Sequence, residues 1–369
     1  MIPVTKPYLP NRAKLNRYLD GIYERQWLTN NGPLTKELKG RLEEYLGVSN
    51  LLLVSNGTLA LQVAYRSVGI SSHREGVSTE AITSPFTFIA TASSLKWEGI
   101  EPVFSDIDPH TWCLSPGVLE SAITPITRGI IPVHIYGNAC DVDSFTNIAN
   151  QHRLHVIYDA SHAFGIKHQG KSILSYGDAS TLSFHATKLF HTVEGGAIVF
   201  KDRQTYERAE QIINFGISGP DEISELGINA KMNEIQAAIG LCVLDDIESI
   251  IQKRSDIWHL YASKLHDICQ LQHRTDEDQN NYSYFPILLP SESKAKEILR
   301  SLSNHNISAR RYFYPSLNTV GALQLKHPSS KTTISMDISS RILCLPMYHD
   351  LSSKSIQKII DIVIAELSS

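Results

Sequence analysis

Paired cysteines are missing from this chain. Cys113, Cys140, Cys242, Cys269 and Cys344 are scattered along 369 residues with no C-x-x-C spacing. An odd, dispersed set leaves no disulfide framework, fits a reducing compartment and points to the cytoplasm. The fifteen histidines show neither the i, i+4 pairs nor the short-loop spacing that zinc prefers, so no metal is expected. No apolar run approaches membrane-spanning length, and the start MIPVTKPYLPNR has no apolar core or cleavage site. Neither a membrane span nor a secretion signal is therefore expected, and the sequon Asn56-Gly57-Thr58 reads as a turn rather than a glycosylation site. Excess positive charge is absent too. With 34 Lys and Arg against 38 Asp and Glu, the net charge of −4 argues against an electrostatic grip on nucleic acid. Internal repeats and low-complexity segments are also lacking.

What is present is ordinary globular material, 42% hydrophobic and 20% charged, in a chain long enough for two units. From residue 50 onward, short apolar runs alternate with stretches of helical spacing. LLLV leads through SNGT into a helix with Ala60, Val63, Ala64 and Val68 on one face. EAIT, EPVFSDID, GIIPVHIYG and HVIYDA continue the series, each strand but the last followed by a helical segment. That tempo predicts crossover units, hence an α/β fold with a mostly parallel sheet sandwiched by helices. Ligands in such sheets gather beyond the carboxyl ends of the strands. A long helical region, from about Asn233 to Asp267, leads into a smaller mixed α/β unit. The division falls near residue 245, giving units 1–245 and 246–369.

Four features can carry chemistry. SNGT sits where a strand feeds a helix start, with Gly57 permitting close approach and Thr58 offering a hydroxyl, a place suited to phosphate or to simple N-capping. Asp159 ends an apolar strand, where a carboxylate holds a cation or caps the next helix. Lys188 lies inside SFHATKLFHTVEGG, between two core runs and five residues after Ser183. A lysine there needs a partner or a task, unless it snorkels from a loop. GINAKMNEIQAAIG opens the long helix behind Asn229. A phosphate cup, then an aspartate, then a lysine is the order that pyridoxal 5′-phosphate requires: donors for its phosphate, a carboxylate for its ring nitrogen, an amine for its aldehyde.

The chain resembles the DegT/DnrJ/EryC1/StrS sugar aminotransferases, with the aspartate-aminotransferase-like fold type I. The likeness runs through SNGTLAL, TFIATA, FSDID, DASHAFG, SFHATK, EGGA, GINAKMNE, ARRYFYP and CLPMYHDL. Within the family, WLTNNGP and SFHATKLFHTVEGG look most like the transaminases making dTDP-4-amino-4,6-dideoxyglucose, the viosamine branch of O-antigen and surface-polysaccharide synthesis.

The resemblance implies that Lys188 is the covalent anchor and proton carrier, and that Asp159 faces the ring nitrogen. It implies His162 near the ring's 3-hydroxyl, Phe86 stacked on the ring, and Gly57, Thr58 and Ser183 on the phosphate. Asn229 would reach the phosphate of a neighbouring subunit, making a homodimer with shared sites. L-glutamate would give the amino group, with pyridoxamine 5′-phosphate between the half-reactions, and a dTDP-4-keto-6-deoxy sugar would receive it. His185, Arg310, Arg311, Tyr312 and Tyr314 are candidates for the nucleotide sugar, guanidinium groups pairing well with diphosphates. ARRYFYP also reads as a plain small-unit strand. Two alternatives stand beside this: a 3-keto-sugar aminotransferase with the same apparatus, and a non-catalytic regulatory protein that binds the cofactor. A histidine-bearing dehydratase is disfavoured by Lys188. A phosphatase reading of SDIDPHT fails because Thr111 comes one place late for D-x-D-x-T.

Overall fold

The computed structural model describes residues 1–71, 78–275, 280–326 and 332–368. Its centre is a seven-stranded sheet. In chain order the strands are β1 (Leu51–Val54), β2 (Thr79–Thr83), β3 (Ile100–Phe104), β4 (Thr127–Ile131), β5 (His155–Asp159), β6 (Ala179–Ser183) and β7 (Gly196–Phe200). Across the sheet they run β1-β7-β6-β5-β4-β2-β3. Four neighbouring pairs are parallel, β3 with β2, β2 with β4, β4 with β5 and β5 with β6, while β7 is antiparallel to both β6 and β1. The departure from parallel pairing has a local cause. Between β6 and β7 the chain makes no crossover helix, and residues 184–195 turn straight back, carrying Lys188 on the loop.

Helix starts are capped both locally and from a distance. Asn56 caps the helix Gly57–Val68 by accepting from the Leu59 N–H, and Gly69 ends it at φ 96°. Glu234, fully buried, accepts from the Leu34 and Thr35 N–H groups and the Thr35 hydroxyl, capping the helix Pro33–Leu46 from another helix.

The long helical region is two helices, Glu234–Asp245 and Ile247–Leu265, broken at Asp246, whose carboxylate accepts from the Tyr8 hydroxyl at 2.8 Å. Beyond the break, strands Gln270–Leu271, Phe285–Leu288 and Ile342–Leu345 form an antiparallel sheet. Helices Ile247–Leu265, Glu292–Asn304 and Ser353–Ser368 cover it, and residues such as Tyr261, Ile298, Leu343 and Ile359 build its own core. The two parts are tied together. Asp106, just past β3, accepts from the Ile334 and Ser335 N–H groups and the Ser335 hydroxyl, capping the helix Thr333–Arg341. Leu317 and Leu323 bury against Ala92 and Phe104. Among the described residues, no helix is long and apolar enough to cross a membrane.

Candidate active site

The carboxyl ends of β1, β5 and β6 converge, and their loops bring three of the four sequence features together. Gly57 begins the helix after β1, and a Cβ there would stand 2.8 Å from the Ser183 Cβ at the end of β6. Only glycine lets the helix start come so close. The Asn56 cap takes the Leu59 N–H, and the N–H groups of Gly57 and Thr58, in the first turn, have no partner within the helix, beside the Ser183 side chain. The Thr58 side chain is exposed there. This is a cradle for a phosphate or another small anion.

Asp159 is 5% exposed at the tip of β5. One oxygen accepts from the Thr91 hydroxyl at 2.8 Å, and the other from the Ser161 N–H at 3.1 Å and the Ser161 hydroxyl at 2.6 Å. Three donors hold its position, and among the described residues no cation is bonded to it. A cationic ring nitrogen is the kind of group it suits.

Lys188 rides on a loop laced by backbone bonds, Phe184 N–H to Gly195 O, Ala186 N–H to Val193 O and Thr192 N–H to Phe184 O. The residue is partly exposed, but its amine is enclosed. Desolvation draws the lysine down from 10.5 to about 8, with the nearby Asp159 charge opposing the shift. Among the described residues, the one side-chain hydrogen bond of this amine is to the Tyr284 hydroxyl, at 3.5 Å. A lysine near 8 has a usable fraction of free amine at neutral pH, so it can attack a carbonyl or carry a proton.

His162, 5% exposed, is held neutral by burial and then by the Lys188 charge, both lowering its pKa well below the ordinary value. Its Nδ1 accepts from the Tyr136 N–H at 3.2 Å, which leaves the proton on Nε2. Phe313 lies parallel to it, 5.7 Å between centroids, and Tyr284 meets it edge-on at 4.8 Å. Ser161, His162, Ser183, Thr187, Lys188 and Tyr284 together line a narrow slot. A cavity of about 700 Å³ lies elsewhere, lined by Lys36, Lys39, Tyr206, Glu210 and Lys231, and it includes none of these groups.

Phe86 is fully buried and packs edge-on against Tyr136 and Phe313. Its ring has no face open to a ligand, contrary to the stacking expected of it. The reason lies in the turn: Phe88, not Phe86, is the residue before the helix Ile89–Trp97, and its ring stays 55% exposed beside Phe313. Asn229 is exposed beyond β1, where Ala230 accepts from the Ser55 N–H. That edge is on the opposite side of β1 from β7, β6 and the lysine.

The substrate candidates divide. His185 is exposed next to the lysine loop, its Nδ1 2.8 Å from the Thr187 hydroxyl. Tyr312 reaches the site, edge-on to Tyr284 at 6.1 Å, with its backbone oxygen accepting from the Tyr136 hydroxyl. Arg310 is exposed near it, its charge opposing the upward pKa shift that burial and Tyr284 give Tyr312. Arg311 points the other way. It donates to Glu292 at 3.1 Å and to the Ser340 oxygen at 2.5 Å, and covers the Tyr314 ring at 3.5 Å. A guanidinium so engaged is not available to a diphosphate, so Arg311 and the face of Tyr314 beneath it are structural here. The stretch is no plain strand either; it makes one bridge, Arg310 to Cys344, and then turns.

Sequence reasoning missed Thr91, Ser161, Phe88 and Tyr284. Ser161 had a signal, a hydroxyl two places after an aspartate. Tyr284 had none, because NYSYF looks like any strand entry.

The family model described as DegT/DnrJ/EryC1/StrS aminotransferase family matches residues 11–364. The chain is 41% identical to a dTDP-4-amino-4,6-dideoxy-D-glucose transaminase of Shigella dysenteriae, over 98% of this chain and 97% of that protein. It is 37% identical to one of Escherichia coli, over 99% of each. Among solved structures, DesI in the presence of its TDP-sugar product superposes with a TM-score of 0.91 at 30% identity, covering 99% of this chain and 93% of that one.

Proposed function

The chain belongs to the DegT/DnrJ/EryC1/StrS aminotransferase family, and on that premise we propose that it moves the amino group of L-glutamate to the 4-keto carbon of dTDP-4-keto-6-deoxyglucose. The product, dTDP-4-amino-4,6-dideoxyglucose, would serve O-antigen or other surface-polysaccharide synthesis in the cytoplasm. The observation that carries the substrate assignment is the 41% identity, across almost the whole chain, to a transaminase of that name.

Pyridoxal 5′-phosphate is the cofactor of such enzymes, and the residues present fit it. The cradle that a Cβ at Gly57 would fill would take the phosphate, with the Gly57 and Thr58 N–H groups and the Ser183 hydroxyl as donors. Asp159, held by Thr91 and Ser161, would keep a ring nitrogen cationic. His162 would serve the ring as a neutral donor, and Phe88 would offer the exposed ring face that Phe86 lacks. Bound there, the cofactor supplies an aldehyde for amines and a ring that accepts an electron pair. Lys188 does the proton work: its free amine takes the proton from the α-carbon of glutamate, and in the second half returns one to C4 of the sugar. Burial keeps water from competing for that proton.

In the same reading, residues 1–245 hold the cofactor and 246–369 close over the sugar nucleotide, with Arg310, Tyr312 and His185 at its entrance. A homodimer completes the site. Asn229 lies on the side of β1 away from its own lysine, and its ribbon exposes Phe215, Ile217, Ile223 and Leu226 at 41–74%, an apolar surface that a second copy would cover. The test is to incubate the enzyme with glutamate and a panel of 3-keto and 4-keto sugars on dTDP, UDP and GDP, then locate the new amine by NMR. An amine at C4 of the dTDP sugar is expected. An amine at C3, or a preference for another nucleotide, would replace this assignment.

A further inference from the structure

We propose that Tyr284 is the positioning residue of the Lys188 amine, its hydroxyl placed 3.5 Å from Nζ by a segment anchored across both units. This rests on Lys188 being the proton carrier. During turnover the lysine nitrogen has to hold and move a proton. A four-carbon stem lets a free amine wander, and a proton carrier loses rate when its nitrogen strays from the reacting carbon. A hydroxyl at that distance, the outer limit of a hydrogen bond, gives the nitrogen a fixed neighbour.

The tyrosine is itself well held. Its ring meets His162 edge-on at 4.8 Å, Tyr136 at 5.5 Å and Tyr312 at 6.1 Å. The backbone before it is tied down from two sides. The Asn281 amide donates to the His162 and Phe164 oxygens at 2.8 and 3.0 Å, and its oxygen accepts from the Ser283 N–H at 3.2 Å. Arg254, 4% exposed, donates to the Tyr282 and Ser283 oxygens at 3.4 and 3.2 Å. Its Nε has no partner, and no carboxylate pairs with it among the described residues. A buried cation spent on two main-chain oxygens is costly for stability alone. Here it fixes the turn that delivers Tyr284. The charged and titratable groups around the pair are Asp159 and His162 from the large sheet, Tyr136 after β4, and Arg254, Tyr312 and Cys344 from the smaller unit. Burial holds Tyr284 protonated, so it accepts from the ammonium and donates to the free amine.

Tyr284→Phe removes the hydroxyl and keeps the ring packing. In the cofactor-loaded enzyme, kcat should fall about tenfold, the rate value of one hydrogen bond, with both KM values within about twofold. A second readout does not depend on turnover. In full-length protein freed of cofactor, labelling of Lys188 by trinitrobenzenesulfonate is followed against pH by peptide mass spectrometry. The ammonium loses its acceptor, so the midpoint should move to lower pH by about half a unit. A purely structural tyrosine would leave that midpoint in place, and an unchanged midpoint overturns the proposal whatever kcat does. Arg254→Lys keeps the charge but not the forked grip, and should move the midpoint the same way by less; if Tyr284→Phe does not fold, this variant decides by the same criterion. Should the wild-type enzyme aminate no keto sugar, the proposed function fails, while the midpoint still decides whether Tyr284 holds the lysine.

Discussion

The two halves of the site are built differently. On the cofactor side every group sits at the end of a strand or on the turn that follows it, so the register of the sheet fixes the spacing of Gly57, Asp159, Ser183 and Lys188. On the substrate side the candidates come from residues 310–314, a stretch with one bridge and no ladder. There, sequence neighbours part company: Arg310 is exposed, and Arg311 is locked onto Glu292, Ser340 and Tyr314. Spacing carries meaning where a sheet enforces it. In an irregular stretch, adjacency says little about where a side chain goes.

That contrast can be broken or sharpened by substitution. The largest effect belongs to Lys188→Ala, which should abolish the visible absorbance of the bound cofactor, leave no borohydride-trapped tag on the peptide, and reduce transamination by about 10³-fold or more. In the wild-type enzyme the rate should rise with pH through about 8, because the working form is the free amine and burial places its titration there; a flat profile over that range would remove the lysine from the proton transfer. Next comes Asp159→Asn. The amide can keep the Ser161 contacts, so the fold should hold by circular dichroism while kcat falls about 10²-fold, the loss of a full charge opposite the ring nitrogen. Near-normal rates would show that the nitrogen is held elsewhere.

The smallest effects separate the two arginines. Arg310→Ala should raise the KM for the nucleotide sugar about tenfold and leave the melting temperature alone. Arg311→Ala should do the reverse, with KM nearly unchanged and the melting temperature lowered through loss of the Ser340 and Glu292 bonds. If both variants moved KM alone, the substrate half would be as regular as the cofactor half.

Most of the sheet was legible because strand and helix periods alternate so plainly from LLLV to HVIYDA. The antiparallel β7 was not, since nothing in SFHATKLFHTVEGG shows that its loop returns without a helix. The cofactor groups were legible as types at strand ends. The choice between Phe86 and Phe88 was not: two aromatics two places apart differ only in which one precedes the helix, and that depends on where the turn closes. Thr91 and Tyr284 were out of reach for a deeper reason, as each meets its partner through tertiary packing and leaves no local pattern. The long helical region expected across about Asn233–Asp267 is split at Asp246, beside the division expected near 245, where a tyrosine from the N-terminal arm donates to the carboxylate.

Asp106 has a consequence beyond its own hydrogen bonds. By capping the helix Thr333–Arg341 from the rim of the central sheet, one carboxylate makes the start of a small-unit helix dependent on the other unit being folded. Loosening either partner strips three donors of their acceptor and bares the apolar patch around Leu317 and Phe104. On heating, the two units should therefore melt in one calorimetric transition, and a fragment cut at their boundary should lose this cap and bare that patch.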